Sequence, residues 1–163
     1  MRERLRRLLP GVWLGVLLGV ALLATPAPFA VLERPVAGRV VQWIFAREAP
    51  ASLALAVLVL MLERRRALEA WQEGLVRSQF SSTMVGALVA LACTIVGYYV
   101  LQPMMEAAKV GGGALSFGQL HGLSFGLFGI KILAVAALAW GATREAPGTG
   151  PADSGPISPS ASS

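Results

Sequence analysis

The residues with the greatest chemical potential lie along the last long apolar run. His121, Ser124, Phe128 and Lys131 recur at helical spacing, so that one helix would place them on a single stripe. Ionisable groups inside a membrane helix cost about 2.5–3.5 kcal/mol on insertion scales, and they usually face the bundle interior. Lys131 lies about 15 Å further along the helix than His121. The spacing predicts a polar intramembrane stripe, with His121 near the outer interface and Lys131 near mid-bilayer.

A second pattern overlaps this stripe. Residues Gly122 to Gly126 match G-x-S-x-G, the pattern of serine-hydrolase elbows. An elbow requires a strand–turn–helix context, and the general base must approach from another element. His121 is the chain's one histidine and would lie on the same helix as Ser124. An intramembrane hydrolase is therefore the third-ranked interpretation, and no catalytic residue is assigned.

A metal site is the alternative interpretation. Met104 and Met105 precede His121 on the expected outer side, and thioether and imidazole groups suit Cu(I). Copper or other metal handling would use these three side chains. Cys93 is the one cysteine, so the chain has no Cys-x-x-Cys pair. A single histidine cannot supply bis-histidine haem ligation within one chain, and no cofactor is expected.

The elements that must position these residues are membrane helices. The chain is 55% hydrophobic and 14% charged, and its charges cluster between long uncharged runs. A helix needs about 20 apolar residues to cross a bilayer. Pro103 is expected to end the third helix. The predicted domain, 1–144, has helices at roughly 8–30, 48–68, 80–103 and 116–142, and a disordered cytoplasmic tail covers 145–163.

The segment between the first two helices has its own pattern. In 35–46, Val36, Val40 and Phe45 share one helical side, with Arg39 and Gln42 opposite. This pattern is typical of an amphipathic helix at a membrane surface. The predicted fold is all-α: a four-transmembrane-helix bundle with an outer interfacial amphipathic helix after the first helix.

The charge distribution predicts the orientation. With the start in the cytoplasm, nine basic residues lie inside: Arg2, Arg4, Arg6, Arg7, Arg64, Arg65, Arg66, Arg77 and Arg144. Four lie outside: Arg34, Arg39, Arg47 and Lys109. This asymmetry predicts a multi-pass protein of a bacterial inner membrane with both termini cytoplasmic. Because the cations flank apolar segments, the expected partner is the lipid bilayer and not nucleic acid.

Two glycine stripes indicate close helix packing. Small residues let membrane helices approach each other closely. We expect both stripes to pack the bundle internally; the alternative is a homo-oligomer or a larger membrane complex. The stripes are Gly11, Gly15 and Gly19 on the first helix, and Gly118, Gly122 and Gly126 on the fourth.

One run of residues resembles a known family. Leu120-His121-Gly122-Leu123-Ser124 is similar to the His-Gly-Leu-Ser-Ser motif that opens the last helix of the eukaryotic transmembrane protein 205 family. It also resembles the related bacterial domain of unknown function 4149. The resemblance covers roughly Leu9 to Trp140. Further agreement lies at Trp13, Gly15, Phe29, Glu33-Arg34-Pro35, Ala37-Gly38, Val41-Gln42, Phe45 and Gln102-Pro103.

The chain departs from the family pattern at two positions. Phe128 stands where members often carry Asn, and Phe45-Ala46 stands where they carry Phe-Pro. The resemblance implies a four-helix membrane protein without a settled biochemical role. The leading interpretation is a non-enzymatic integral inner-membrane protein that binds or passes a small solute, or serves as an accessory subunit of a membrane complex.

Overall fold

All regular structure in the computed structural model is helical. The model describes residues 2–74 and 81–144, and the expected tail at 145–163 lies outside them. Two segments are π-helical, Val20–Ala24 and Ile95–Val100. The α-helices are α1 (Arg2–Gly19), α2 (Pro26–Val31), α3 (Arg34–Gln72), α4 (Ser82–Thr94), α5 (Leu101–Lys109) and α6 (Phe117–Arg144).

Four helical runs are long and apolar enough to cross a membrane. They are Arg4–Val31, Arg34–Gln72, Ser82–Lys109 and Phe117–Arg144, and we call them the first to fourth spans. The prediction of an all-α membrane fold with four transmembrane helices is thereby confirmed.

The spans form a ring. The first span packs against α3 and α6, and α4 also packs against α3 and α6. The first and third spans therefore face each other across the bundle, and α3 faces α6. Any contact between α3 and α6 must cross the interior through side chains.

The two halves of the bundle are packed differently. The main core surrounds Trp13 and Leu17, which are both fully buried. We call this part, which lies toward Arg6 and Arg144, the closed half. The part toward the α2–α3 and α5–α6 connections is the open half, where a smaller cluster joins α5 to α6. The main core also contains Leu9, Ala56, Val59, Ala87, Ala90, Val135 and Leu138.

The segment 35–46 does not form a helix of its own. It is the first part of α3, which continues through Pro50 to Gln72 over 39 residues. Pro50 removes one backbone donor, and the buried Glu48 and Ala49 anchor this part of the helix against its neighbours. At about 1.5 Å per residue α3 is about 58 Å long, nearly twice the ~30 Å hydrocarbon thickness.

Pro103 does not end the third helix. It lies in the first turn of α5, which continues to Lys109. A proline is tolerated in a first turn because its missing N–H has no helical partner there. The π-helical segment Ile95–Val100 interrupts the α-helical pattern directly before Leu101, so that Pro103 lies near the start of a new α-helix. Pro26 is also in a first turn, as the first residue of α2, one residue after the other π-helical segment.

The two glycine stripes do not pack the bundle. A Cβ added at Gly11, Gly15, Gly19, Gly118, Gly122 or Gly126 would meet no atom within 4 Å. The face of α1 that packs internally is instead the one carrying Trp13 and Leu17. The expectation of internal packing through these six glycines is therefore wrong. Their use against a second copy of the chain remains a prediction.

Candidate functional site

The open half contains a cavity of about 860 Å³ that all four spans line. Along α3 its lining extends from Arg34 to Glu48, and along α6 from Phe117 to Lys131. Each stretch covers fifteen residues, and its end residues are about 21 Å apart along the helix. We call the end at Arg34 and Phe117, near the helix connections, the mouth. The deep end lies at Glu48 and Lys131, where the main core begins.

A buried ion pair forms the deep end. The Lys131 ammonium donates to Glu48 Oε1 at 2.8 Å and to Oε2 at 3.0 Å. Both side chains are 3% exposed. Because α3 and α6 face each other across the ring, this pair spans the bundle interior. A buried charge without a partner is strongly destabilising, so each of these groups requires the other.

A short hydrogen-bond network extends from the pair to the first span. The Ser52 hydroxyl donates to Glu48 Oε1. The Trp13 indole N–H in turn donates to Ser52 Oγ at 3.0 Å. Since Trp13 is fully buried, its N–H needs a partner of this kind. The network therefore fixes α1, α3 and α6 relative to one another.

Two aromatic rings cover the pair on the cavity side. The Lys131 ammonium lies 4.6 Å from the centroid of the Phe128 ring, within cation–π distance. Phe45 packs edge-to-face on Phe128, with their centroids 5.3 Å apart. The Lys131 ammonium therefore contacts the Phe128 ring as well as the Glu48 carboxylate, and Phe45 supports that ring.

All members of the sequence-predicted polar stripe line the cavity. His121, Ser124, Phe128 and Lys131 face it from α6. His121 is exposed and stacks on Phe117 at 5.7 Å between centroids, and Ser124 is half-buried. Within the described residues no hydrogen bond joins His121 to Ser124. The G-x-S-x-G match lies wholly inside α6, so it has no strand before it and lacks the geometry of an elbow.

The proposed metal ligands are brought together only in part. Met105 and His121 both line the cavity. Met104 is 41% exposed and does not belong to the lining. Among residues 2–74 and 81–144 there is no group of three or more His, Cys, Asp or Glu side chains with metal-binding geometry.

Both π-helical segments border the cavity. Ala21 lines it from the first segment and Thr25 from the residue directly after that segment, and Gly97 and Tyr98 line it from the second. Segments of this kind inside α-helices occur frequently at functional sites. The Thr25 hydroxyl is buried and has no hydrogen-bond partner among the described residues.

Sequence reasoning had not identified Glu48, Ser52 or Trp13 as part of the site. The available signal was Lys131 itself, because a lysine at mid-membrane depth requires a carboxylate or a route to water. The sequence predicts a second helix at roughly 48–68, which has Glu48 at its first residue and not at mid-membrane depth.

The sequence family described as Domain of unknown function (DUF4149) matches residues 8–114. This range covers the first span from residue 8 onward, the second and third spans, and the start of the connection that follows the third span. The fourth span, α6, lies outside the matched range. No curated protein matches the chain, and no solved structure matches it.

Proposed function

The chain belongs to the DUF4149 family, and from its cavity we propose that it is a non-enzymatic membrane protein that binds a small solute between its helices. The observation that carries this proposal is the cavity of about 860 Å³ ending at the Glu48–Lys131 pair. Its volume lies within the range of small-molecule sites, roughly 300–1,000 Å³. It also combines aromatic walls with a few polar groups, as such sites do.

The proposal includes an orientation. The asymmetry of nine basic residues against four supports cytoplasmic termini in a bacterial inner membrane. In that orientation the cavity mouth faces outward, and the solute enters from the outer side. The closed half separates the cavity from the cytoplasm in this conformation. The geometry thus supports binding, or one stage of a transport cycle.

The arrangement of charges supports a binding role over an enzymatic one. Glu48 and Lys131 are each held by the other, and Ser124 has no base within hydrogen-bonding distance in the described part of the chain. Copper handling has support only from Met105 and His121, because Met104 lies outside the lining. A role as an accessory subunit is compatible with the same cavity.

Cys93 provides a built-in reporter for solute entry. It is the one cysteine, is 9% exposed, and lines the cavity. We expect the small neutral reagent methyl methanethiosulfonate to modify it in the folded protein in lipid nanodiscs. Gly38 also lines the cavity, and a Cβ there would meet no atom within 4 Å. Gly38→Phe should therefore fill the mouth and slow the modification at least tenfold.

Gly11→Phe is the matched control, because Gly11 is equally open but faces away from the cavity. It should leave the modification rate of Cys93 unchanged. The rates are measured by intact-protein mass spectrometry, with far-ultraviolet circular dichroism to establish folding. If Cys93 in the folded wild-type protein reacts only after denaturation, solutes do not enter the cavity and the proposal is overturned.

A further inference from the structure

We propose that the solute is an organic anion with an apolar, ring-bearing body, and that Arg34 and Arg39 at the mouth hold its anionic group. This inference rests on the proposed function and adds the chemical class of the ligand. It follows from the charge balance of the lining and from the aromatic rings that also line the cavity.

The lining contains more cations than its own carboxylates can neutralise. Glu48 already binds Lys131, as described above. Glu106 accepts a hydrogen bond from the Lys109 ammonium at 2.8 Å and another from Gln102 Nε2 at 3.3 Å. Among residues 2–74 and 81–144, no further carboxylate lines the cavity. Each acidic group in the lining is therefore already paired with a lysine.

Arg34 and Arg39 are the cations left over. Both line the cavity and both are exposed. Neither makes an ion pair, hydrogen bond or ring contact with another described residue. The next arginine of α3 behaves differently, because the Arg47 guanidinium lies 5.1 Å from the centroid of the Trp43 ring. Two unpaired guanidinium groups at one opening favour an anion, since their planar donors fit carboxylate and phosphate oxygens.

The walls behind the arginines suit an apolar body. Phe29, Phe45, Tyr98 and Phe125 line the cavity, one from each of the four spans. Rings from several directions favour a flat hydrophobic group, which can stack or pack edge-to-face.

The depth of the cavity fits this orientation. Arg39 precedes Glu48 by nine residues on α3, or about 14 Å along the helix. Phe45 lies within this interval on α3, and Phe125 lies six residues before Lys131 on α6, while Glu48 and Lys131 are already paired with each other. An anion at the mouth therefore avoids repulsion by Glu48. A cation would instead meet two unneutralised arginines at the entrance, so the cavity discriminates against it.

The test uses the full chain in nanodiscs of phosphatidylcholine, with Cys93 modification by methyl methanethiosulfonate as the readout. Four naphthalene derivatives are the probes: naphthoate, naphthyl phosphate, naphthylmethanol and naphthylmethylammonium. A molecule bound between the mouth and Cys93 should slow its modification. We expect at least one anion to protect Cys93 at concentrations where the alcohol and the ammonium compound do not. The two anionic arms distinguish a carboxylate ligand from a phosphate ligand.

Arg34→Gln combined with Arg39→Gln should weaken the protection by roughly tenfold for each guanidinium that binds the anion. The modification rate of each variant is also measured without a probe, and protection is expressed relative to that rate. Arg47→Gln is the matched control on the same helix and should retain full protection. Protection by the anions should also decrease as the salt concentration rises.

The failures of the two proposals are distinguishable. Equal protection by all four probes, or protection that survives the double arginine substitution, overturns the anion assignment and leaves the cavity as a solute site. Free modification of Cys93 without protection by any probe also overturns it. If Cys93 is never modified in the folded protein, the proposed function fails, and the anion assignment fails with it.

Discussion

The closed and open halves of the bundle each contain a buried ion pair, in opposite surroundings. In the closed half Arg6 Nη1 lies 2.9 Å from Glu63 Oε1, and the side chains are 8% and 3% exposed. This pair joins α1 and α3, which are neighbours in the ring. In the open half Glu48 and Lys131 join helices that face each other across the interior, and a cavity lies directly beside them.

The difference shows how one set of helices can be sealed at one end and hollow at the other. The closed half packs small and large apolar residues such as Ala87, Ala90 and Leu138 without a ring-lined cavity. The irregular backbone is concentrated in the open half, where both π-helical segments lie. Pro26, Pro28, Pro35 and Pro103 lie there as well. The long side chains of Glu48 and Lys131 then bridge helices that have no close backbone contact.

The largest effect is expected from breaking the deep pair. Lys131→Met leaves Glu48 buried without its cation, and such a change costs about 3–5 kcal/mol of the free energy of unfolding. Lys131→Met combined with Glu48→Met should recover most of that loss, because neither charge is then buried alone. Both variants are compared with the wild type by unfolding titration with sodium dodecyl sulfate in mixed micelles.

The same double-mutant cycle on Arg6 and Glu63 sharpens the comparison of the two pairs. Arg6 lies in the second turn of α1, and after Glu63→Met its long side chain can extend toward water. The coupling energy should therefore be less than half of that between Glu48 and Lys131. Equal coupling energies would show that the position within the bundle does not matter, which would contradict the distinction drawn between the halves.

The packing of the two halves can be compared at two glycines of the third span. A Cβ at Gly86 in the closed half would lie 2.8 Å from Leu138 Cδ2. At Gly97, which lines the cavity, the nearest atom would be Leu127 Cβ at 3.9 Å, an ordinary contact. Gly86→Ala should cost about 1–3 kcal/mol of unfolding free energy through overpacking. Gly97→Ala should be neutral within about 0.5 kcal/mol.

The variant Gly86→Ala with Leu138→Val is the diagnostic control for this comparison. A shorter side chain at residue 138 gives the new methyl group space, so that it should recover part of the loss. If Gly86→Ala is as stable as Gly97→Ala, Leu138 moves aside freely, and the closed half is less tightly packed than its burial indicates.

The four spans could be predicted from the sequence because their length and apolar content follow directly from bilayer thickness. The shared face of His121, Ser124 and Lys131 also follows from helical spacing alone. Helical spacing does not identify the partner of Lys131, because that partner lies on a different helix. Glu48 directly precedes the uncharged run 49–62, and the predicted second helix at roughly 48–68 therefore has it at one end. In the structure α3 begins at Arg34 and continues through Glu48, so Glu48 is not at the end of a helix. Its ion pair with Lys131 places it at the same depth as the middle of α6.

The glycine stripes show a second limit of sequence reasoning. Spacing identifies which residues share a face of one helix, but it does not identify which neighbour, if any, that face meets. Gly15 and Gly86 look alike in sequence, as small residues within small-residue stripes. Only the arrangement of the four helices distinguishes them, because Leu138 lies against one and nothing lies within 4 Å of the other.

The smallest effect is therefore expected at Gly15. Since its Cβ would meet no atom, Gly15→Ala should not disturb the fold, and it should raise the stability of the monomer by up to about 1 kcal/mol through helix propensity. The measurement is the same unfolding titration, with Gly86→Ala as the contrasting variant.

If a second copy packs on the outward stripe, Gly15→Leu should weaken self-association, while the unfolding free energy of the monomer is retained. Self-association is measured by Förster transfer between labelled chains in lipid. A loss of monomer stability comparable to that of Gly86→Ala would contradict the outward placement of this glycine and restore an internal packing role for the stripe.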